Sequence, residues 1–339
     1  LAEVVSGKVI GSLHSASAIG SVLGTLVTTF WFIPWTNINF VIGLLAALVY
    51  ITLIFYGETG TKGQAAFMII AALFLAIPFI SFGGSEQGML LKKTSLYHDI
   101  YVYETDFYQG EEGKYRSLTF GNKTTIQGMM NMYMPDNLLL GYSQSVWEVS
   151  NRFAPESQDI FIIGHGIGTL TRKFEEANKN VLVAEIDKEV LEVSKDYFQY
   201  DGNSVVIGDG RQVLKVQEEG FDVIFLDAYN NTTQIPFHLI SKEFFTITND
   251  KLKEDGILII NAIGNPQGNI LIESLDTTLK SVFPHVYVLG VEGNRDVQNL
   301  TIIGSRKPLS VESAKGHRLF KVEKGKIVLD GDTKLTNLN

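Results

Sequence analysis

The stretch IFIIGHGIGTLTRKFEEANKNVLVAEIDKEV, residues 160–190, reads as an apolar strand, a glycine-rich turn, a helix and a second strand that ends in an acid. Gly164, Gly166 and Gly168 follow the first strand and open the helix. Such a turn lets the backbone approach a ligand closely and turns the helix N-terminus toward it. Glu185 ends the next strand, where a carboxylate can bind both hydroxyls of a ribose. The stretch therefore predicts a nucleotide site.

Two classes of ligand fit this turn. A dinucleotide site carries the pattern GxGxxG, whose third glycine would fall at Thr169, where a side chain would crowd the helix against the strand. S-adenosylmethionine and its relatives have no pyrophosphate to bind, so the GxGxG spacing found here suits them as well. The turn alone leaves both ligands open.

The strands after residue 158 narrow the choice. Apolar runs alternate with helical segments, which predicts a parallel sheet covered by helices on both faces. Seven strands are expected, at DIFIIG, VLVAEID, SVVIGDG, FDVIFLDAY, GILIINAIG, VYVLG and NLTIIGS. In such a sheet the ligand lies over the carboxyl ends of the strands. Those ends carry the glycine turn, Glu185, Asp209 and Asp227, and Asp209 could accept the exocyclic amine of adenine. Together they favour an adenosyl sulfonium ligand.

The first quarter of the chain has a different composition. Residues 9–57 and 63–85 contain no Asp, Glu, Lys or Arg. Because a membrane span needs about 20 apolar residues, these runs predict three membrane helices at about 9–33, 38–56 and 64–82. Lys92 and Lys93 follow the third helix and predict that the remainder lies on the cytoplasmic side of a bacterial inner membrane. Since the chain starts with Leu1, further membrane helices are expected before it.

The sequence thus predicts four regions. They are a transmembrane region at 1–84, a small antiparallel β-domain at 85–140, an adenosyl-binding domain at 141–310 and a C-terminal extension at 311–339. The β-domain is predicted from the alternating segments YHDIYVYE, YRSLTFG and KTTIQGMM.

Composition also excludes several functions. The chain has no cysteine, and therefore neither disulfides nor a thiol nucleophile. Its six histidines show no HxH or HExxH spacing, so we expect no metal. The chain has a net charge of −9, which is carried by the region after the apolar runs. Because nucleic acid is also negatively charged, it is not an expected partner.

Longer motifs resemble one family, the spermidine synthases and related polyamine aminopropyltransferases, particularly the bacterial branch with membrane helices fused ahead of the synthase domain. The motifs are SASAIGSVLGTLVTTFWFIP, SLYHDIYVYE, GYSQSVWEVSNRF, IFIIGHGIGTLTRKF, VAEIDKEVLEVSKDYF, VVIGDGRQVL and FDVIFLDAYNNTTQIPFHLISKEFF. The resemblance implies membrane α-helices followed by an α/β domain, with a seven-stranded, mainly parallel, Rossmann-like methyltransferase sheet. It implies decarboxylated S-adenosylmethionine as donor, an amine as acceptor and methylthioadenosine as product. A homo-oligomer is also expected.

The resemblance assigns roles to residues. Asp227 matches the catalytic aspartate, which accepts a proton from the attacking amine, and Tyr229, two positions later, is expected to act in catalysis by orienting the acceptor. The donor is expected to contact Gly164, Gly166, Gly168, Glu185, Ile186, Asp209, Gly210 and Asp227. The acceptor is expected to contact Tyr97, His98, Tyr142, Gln144 and Asn230.

Several pocket positions depart from the family pattern. An aspartate of the glycine turn is here Ile167, the motif Tyr-x-Glu is Tyr142-Ser143-Gln144, and a second aspartate is Asn230. A family glutamine is His98. A dicationic acceptor would lose three charged partners, each worth about 1.5 to 3 kcal/mol.

Three function classes follow. The first is an aminopropyltransferase with an unusual acceptor. The second is an enzyme that uses intact S-adenosylmethionine, such as a methyltransferase, lyase or cyclase. Ile167 would remove a repulsion against the donor carboxylate there, and His165 and Arg211 could bind it. The third is a sensor without catalysis, since fold does not fix function.

Overall fold

A computed structural model describes residues 7–32, 41–49, 87–121, 125–229, 235–291, 296–311 and 317–332. The chain divides into two compact units, Leu1–Gln87 and Gly88–Asn339. The predicted boundaries at 84, 140 and 310 remain predictions.

The first unit contains helix α1, Gly7–Val27, which continues as a π-helical turn, Thr28–Phe32. Residues 41–49 are also helical. In the part of the chain that the structure describes, no helix is both long enough and apolar enough to cross a membrane.

For the described residues this finding contradicts the predicted membrane helices, and with them the predicted inner-membrane localisation and its cytoplasmic orientation, and it gives no support to a bilayer partner. The physical reason is that absence of charge is a weaker condition than continuous apolarity, because α1 carries serine, threonine, histidine and glycine among its apolar residues. Residues 41–49, which belong to the predicted span at 38–56, are helical, and the rest of that span and the whole span at 64–82 lie outside the described residues.

The second unit begins with a four-stranded antiparallel sheet in the order β1-β2-β3-β4. Its strands are β1 Met89–Thr94, β2 Asp99–Tyr108, β3 Glu111–Phe120 and β4 Ile126–Asn131. A two-residue turn joins β2 to β3, and both of its residues, Gln109 and Gly110, have positive φ, as hairpin turns require. Alternate residues of these strands, such as Val102 and Leu118, pack in an apolar cluster with Ile167.

The larger sheet has eight strands in the order β12-β10-β11-β9-β8-β5-β6-β7. They are β5 Asp159–Ile163, β6 Asn180–Glu185, β7 Val205–Ile207, β8 Phe221–Leu226, β9 Leu252–Gly264, β10 His285–Val291, β11 Gln298–Ser305 and β12 His317–Phe320. Strands β5 to β9 pair in parallel, whereas the pairs β9–β11, β10–β11 and β10–β12 are antiparallel. The fold is α/β and Rossmann-like, but the prediction of a seven-stranded, mainly parallel sheet is wrong. The sheet is mixed, and β12 comes from the segment predicted as an extension.

Helices cover both faces of this sheet. They are α2 Gly141–Phe153, α3 Thr169–Glu176, α4 Lys188–Phe198, α5 Gly210–Lys215, α6 Lys242–Lys251 and α7 Ile270–Lys280. Successive residues of β5 enter opposite cores, with Phe161 in one apolar cluster and Ile160 and Ile162 in the other. Burial on both faces explains why this strand is apolar throughout rather than alternating.

The strand order reverses at β5. The chain runs from β5 to β6 and β7 on one side, then returns to place β8 on the other side of β5. A crevice forms outside the carboxyl ends of strands at such a point. The candidate site lies there.

Candidate active site

A cavity of about 760 Å³ occupies this crevice. Eleven of the residues predicted from the sequence line it: Tyr97, His98, Tyr142, Gly164, Gly166, Glu185, Ile186, Asp209, Gly210, Asp227 and Tyr229. The small sheet, the carboxyl ends of β5 to β8 and the C-terminal segment all contribute to its walls.

The glycine turn brings β5 and β8 together. Gly164 has φ of 96°, and a Cβ atom added there would lie 2.1 Å from the carbonyl oxygen of Asp227. The Asp227 N–H donates to the carbonyl of Ile163 across 2.9 Å. Only glycine permits this approach, which sets Asp227 beside the turn.

Glu185 is fixed behind the turn. Its two carboxylate oxygens accept hydrogen bonds from the backbone N–H groups of His165 and Asp187, each at 2.8 Å. Burial raises the pKa of Glu185, while these two bonds oppose the rise. Each oxygen keeps a further lone pair, so the carboxylate can accept two ribose hydroxyls.

Asp209 caps helix α5. One of its oxygens accepts from the N–H of Gln212 at 3.0 Å, and the other lies 2.8 Å from Nε2 of His238. An adenine amine would therefore meet a carboxylate that already has two partners. The adenine contact of Asp209 remains a prediction.

Asp227 lies at the centre of a polar cluster. Its Oδ1 accepts from Nδ2 of Asn261 at 2.9 Å, and the nearby hydroxyl of Tyr142 donates to the carbonyl of Gln127 at 3.3 Å. Loss of solvent raises the pKa of Asp227 to about 6, although the amide of Asn261 and the hydroxyl of Tyr142 both act to lower it. The hydroxyl of Tyr229 donates to the carbonyl of Asn261 at 2.8 Å. Burial, and then the Asp227 charge, raise the pKa of both tyrosines well above 10, so both remain neutral phenols.

His98 and Tyr97 form the wall contributed by the small domain. The ring of His98 stacks on Phe120 with centroids 4.0 Å apart. Its Nδ1 lies 3.1 Å from Oδ2 of Asp187, and its Nε2 lies 3.2 Å from the carbonyl oxygen of Tyr229. His98 therefore braces two strand ends, whereas Tyr97 is 49% exposed.

Two predicted residues, Gln144 and Gly168, are not among the described residues that line the cavity. Gln144 is exposed and donates to the carbonyl of Leu138 at 2.6 Å. Because residues two apart on a helix point about 200° apart, Tyr142 and Gln144 cannot both face the cavity. Gly168 is the N-cap residue of α3, and Asn230 lies outside the described residues.

The positions weighed for an intact donor also have other partners. Ile167 is buried against Gly128, where an added Cβ would lie 2.6 Å from its Cγ2 atom. His165 lies between the hydroxyls of Thr171 and Ser194, and burial lowers its pKa to about 3, so it is neutral.

Sequence reasoning missed Asn261 and Asp330. Asn261 is a polar residue inside the apolar run GILIINAIG, which is a usable signal. Asp330 pairs with Arg211 across 119 positions of sequence, and no local pattern indicates it. Within the described residues no group of three or more His, Cys, Asp or Glu could hold a metal ion.

Comparisons with known proteins agree with this geometry. Residues 139–292 match the family described as Spermine/spermidine synthase domain. The chain is 27% identical over 247 residues to a probable polyamine aminopropyl transferase of Bifidobacterium longum. The aligned region covers 70% of this chain and 52% of that protein. It is 26% identical over 232 residues to a polyamine aminopropyltransferase of Vibrio vulnificus, covering 65% of this chain and 74% of the relative.

The crystal structure of a probable spermidine synthase from Corynebacterium glutamicum has the same fold, with a TM-score of 0.59 and 16% identity, over 70% of this chain and 91% of that one. The chain spans only about half the length of the first relative, at 52%. The predicted family resemblance is confirmed for the synthase domain, and the membrane-fused branch is not. Residues 139–292 therefore resemble a spermine/spermidine synthase domain, and the relatives of this chain are named as polyamine aminopropyltransferases, which are transferases.

Proposed function

We propose that this chain is an enzyme that transfers an aminopropyl group from decarboxylated S-adenosylmethionine to an amine and releases methylthioadenosine. The observation that carries the proposal is Asp227, a carboxyl with a pKa of about 6 between Asn261 and Tyr142 at the reversal of strand order. The names of the relatives support the same reaction class.

The reaction needs one proton acceptor. The lone pair of the amine forms a C–N bond with the propyl carbon next to the positive sulfur, the C–S bond breaks, and its electron pair leaves with the sulfur of the neutral thioether. Amines of this kind are protonated at neutral pH, so the substrate amine must lose a proton before it attacks. Asp227 is largely ionised at pH 7 and can take that proton.

The remaining residues divide between the two ligands. Glu185 binds the ribose of the donor, and the glycine turn, Ile186, Asp209 and Gly210 enclose its adenosyl end. The neutral phenols of Tyr142 and Tyr229 orient the amine beside Asp227. The contacts of Gln144 argue against a part in acceptor binding.

A second candidate is an enzyme that consumes intact S-adenosylmethionine. Ile167 favours it, because an apolar side chain in the glycine turn leaves the amine of a decarboxylated donor without the acid found in the family. Two observations argue against a donor with a carboxylate. His165 is neutral, and Arg211 is already paired with Asp330, so neither is free to bind a donor carboxylate.

The variant Asp227→Asn tests the proposal. Loss of a general base typically lowers the rate by about 10² to 10⁴. Release of methylthioadenosine should fall by this factor, while calorimetry shows nearly unchanged binding of methylthioadenosine. Asp255→Asn, at a largely exposed side chain, is the matched control. Turnover at the wild-type rate in Asp227→Asn would exclude Asp227 as the base.

A further inference from the structure

The C-terminal segment returns to the cavity. After β12 the chain runs without helix or strand to residue 332, and its last four described residues, Leu329, Asp330, Gly331 and Asp332, line the cavity. This segment lies beyond the region that matches the family, which ends at residue 292. It is therefore a feature that the family match does not explain.

The segment is anchored in the core. Val328 is 1% exposed, its N–H donates to Oγ1 of Thr278 at 2.9 Å, and its carbonyl accepts from the N–H of Lys242 at 2.8 Å. Gly325 lies against the backbone of α7, where a Cβ atom would be 2.4 Å from the carbonyl carbon of Glu273. These contacts hold the segment against helices α6 and α7.

Residues 329–332 form a closed turn. The N–H of Leu329 donates to Oδ2 of Asp332 at 3.0 Å, and the N–H of Asp332 donates back to the carbonyl of Leu329 at 3.2 Å. Gly331 has φ of 85°, which a glycine adopts without strain. The turn therefore presents a defined surface to the cavity.

An ion pair ties this turn to the adenosyl half of the site. Both oxygens of Asp330 accept from Arg211, at 2.8 and 2.6 Å, and the N–H of Asp330 donates to Oε2 of Glu243 at 2.9 Å. Arg211 follows Gly210 at the start of α5, and it also donates to the carbonyl of His238, whose ring contacts Asp209. The bonds from Arg211 lower the pKa of Asp330, which keeps the pair charged.

We propose that the turn Leu329–Asp332, fastened by Asp330 and Arg211, is a wall of the adenosyl site and determines how tightly and how selectively the adenine end of the ligand is bound. The inference rests on the proposed function, which assigns an adenosyl ligand to this half of the cavity. A base enclosed between this wall and the ends of β6 and β7 loses its contact with water, and its edge must match the fixed polar groups around it.

The placement of the pair distinguishes this role from a purely structural one. Partly exposed ion pairs add little to folding stability. Since the segment is also held through Val328 and Gly325, loss of the ion pair should loosen only the turn over the cavity. The effect is then seen in ligand binding rather than in thermal unfolding.

The experiment is a double-mutant cycle on the full chain. Asp330→Ala, Arg211→Ala and the double variant are titrated with methylthioadenosine by calorimetry, beside Asp255→Ala, which removes a different ion pair, with Lys307. Each single variant should weaken binding about tenfold, and the double variant should weaken it no further, since both changes remove one interaction. The control should bind like the wild type.

Selectivity is the second measurement. Methylthioinosine differs from methylthioadenosine by an oxo group in place of the 6-amino group. The ratio of the two affinities should fall in Asp330→Ala and stay constant in Asp255→Ala. Asp330→Asn, which keeps the size of the side chain, replaces Asp330→Ala if that variant unfolds at a lower temperature.

The outcomes separate this inference from the proposed function. Wild-type affinity for methylthioadenosine in both single variants would contradict the proposal that the turn is a wall of the adenosyl site. An unchanged ratio of the affinities for methylthioadenosine and methylthioinosine would contradict its role in selectivity. A wild-type protein that binds no methylthioadenosine overturns the proposed function itself. Additive losses in the double variant show that Asp330 and Arg211 act separately and contradict the fastened turn.

Discussion

The side-chain amide of Asn261 donates a hydrogen bond to the Asp227 carboxylate across 2.9 Å, from the strand that lies next to the one Asp227 follows. The backbone carbonyl of Asn261 accepts the hydroxyl of Tyr229. One buried asparagine on β9 thus contacts both residues that the sequence assigns to catalysis. It holds both residues although it is not among the described residues that line the cavity.

Asn261 should set the acid limit of activity. Its bond stabilises the ionised carboxylate and lowers the pKa of Asp227, so Asn261→Leu should raise this pKa above about 6. Because the base acts in its ionised form, the acid limb of the kcat/KM profile should move to higher pH. We expect a loss of roughly threefold to tenfold at pH 6 and a smaller loss at pH 8. Asn299→Ala, on the exposed side of β11, is the control, and an acid limb that does not move would show that Asn261 has no influence on the base.

The ionised carboxylate of Asp227 should lower the stability of the folded protein above pH 6. Its pKa is raised from 3.8 to about 6 in the folded protein, so between these values the folded state binds more protons than the unfolded state. The protonated Asp227 carboxyl therefore contributes to the stability of the folded state below pH 4, and this contribution is lost as the pH rises through 6 and the carboxyl ionises. Asp227→Asn should therefore unfold at a higher temperature than the wild type at pH 8, with a smaller difference at pH 4. Equal unfolding temperatures of the two proteins at pH 8 would contradict the raised pKa.

Glu185 should carry much of the affinity for the nucleoside. A carboxylate that accepts two ribose hydroxyls makes charge-assisted bonds, so Glu185→Ala should weaken binding of methylthioadenosine by about 2 to 4 kcal/mol. Glu185 also holds two backbone N–H groups, and thermal unfolding of the free protein must therefore be measured beside calorimetry. Glu254→Ala, at a side chain that is 86% exposed, serves as the control. Unchanged affinity in Glu185→Ala would remove the ribose assignment.

The sequence predicted the parts of the site that depend on parallel strands. The glycine turn, Glu185 and Asp227 follow apolar runs, and the carboxyl ends of parallel strands meet at one edge of a sheet. Asn261 could not be placed in this way, since its contact with Asp227 depends on the register between β8 and β9. The motif Tyr-x-Glu does not by itself show that Tyr142 and Gln144 point in different directions, because that depends on the turn of helix α2.

Two other regions could not be predicted, for different reasons. The contact between Arg211 and Asp330 joins distant segments through the tertiary fold, and no sequence pattern around Asp330 indicates it. At residues 9–33 a run without charged residues does not distinguish a membrane span from the helix observed, which mixes small polar residues with apolar ones.

Donor use tests the central claim most directly. The purified chain is offered decarboxylated and intact S-adenosylmethionine separately, each with and without putrescine or another amine, and methylthioadenosine is measured by chromatography. The account predicts release of methylthioadenosine from the decarboxylated donor only when an amine is present. Consumption of intact S-adenosylmethionine without any amine, and no turnover of the decarboxylated donor, would contradict it.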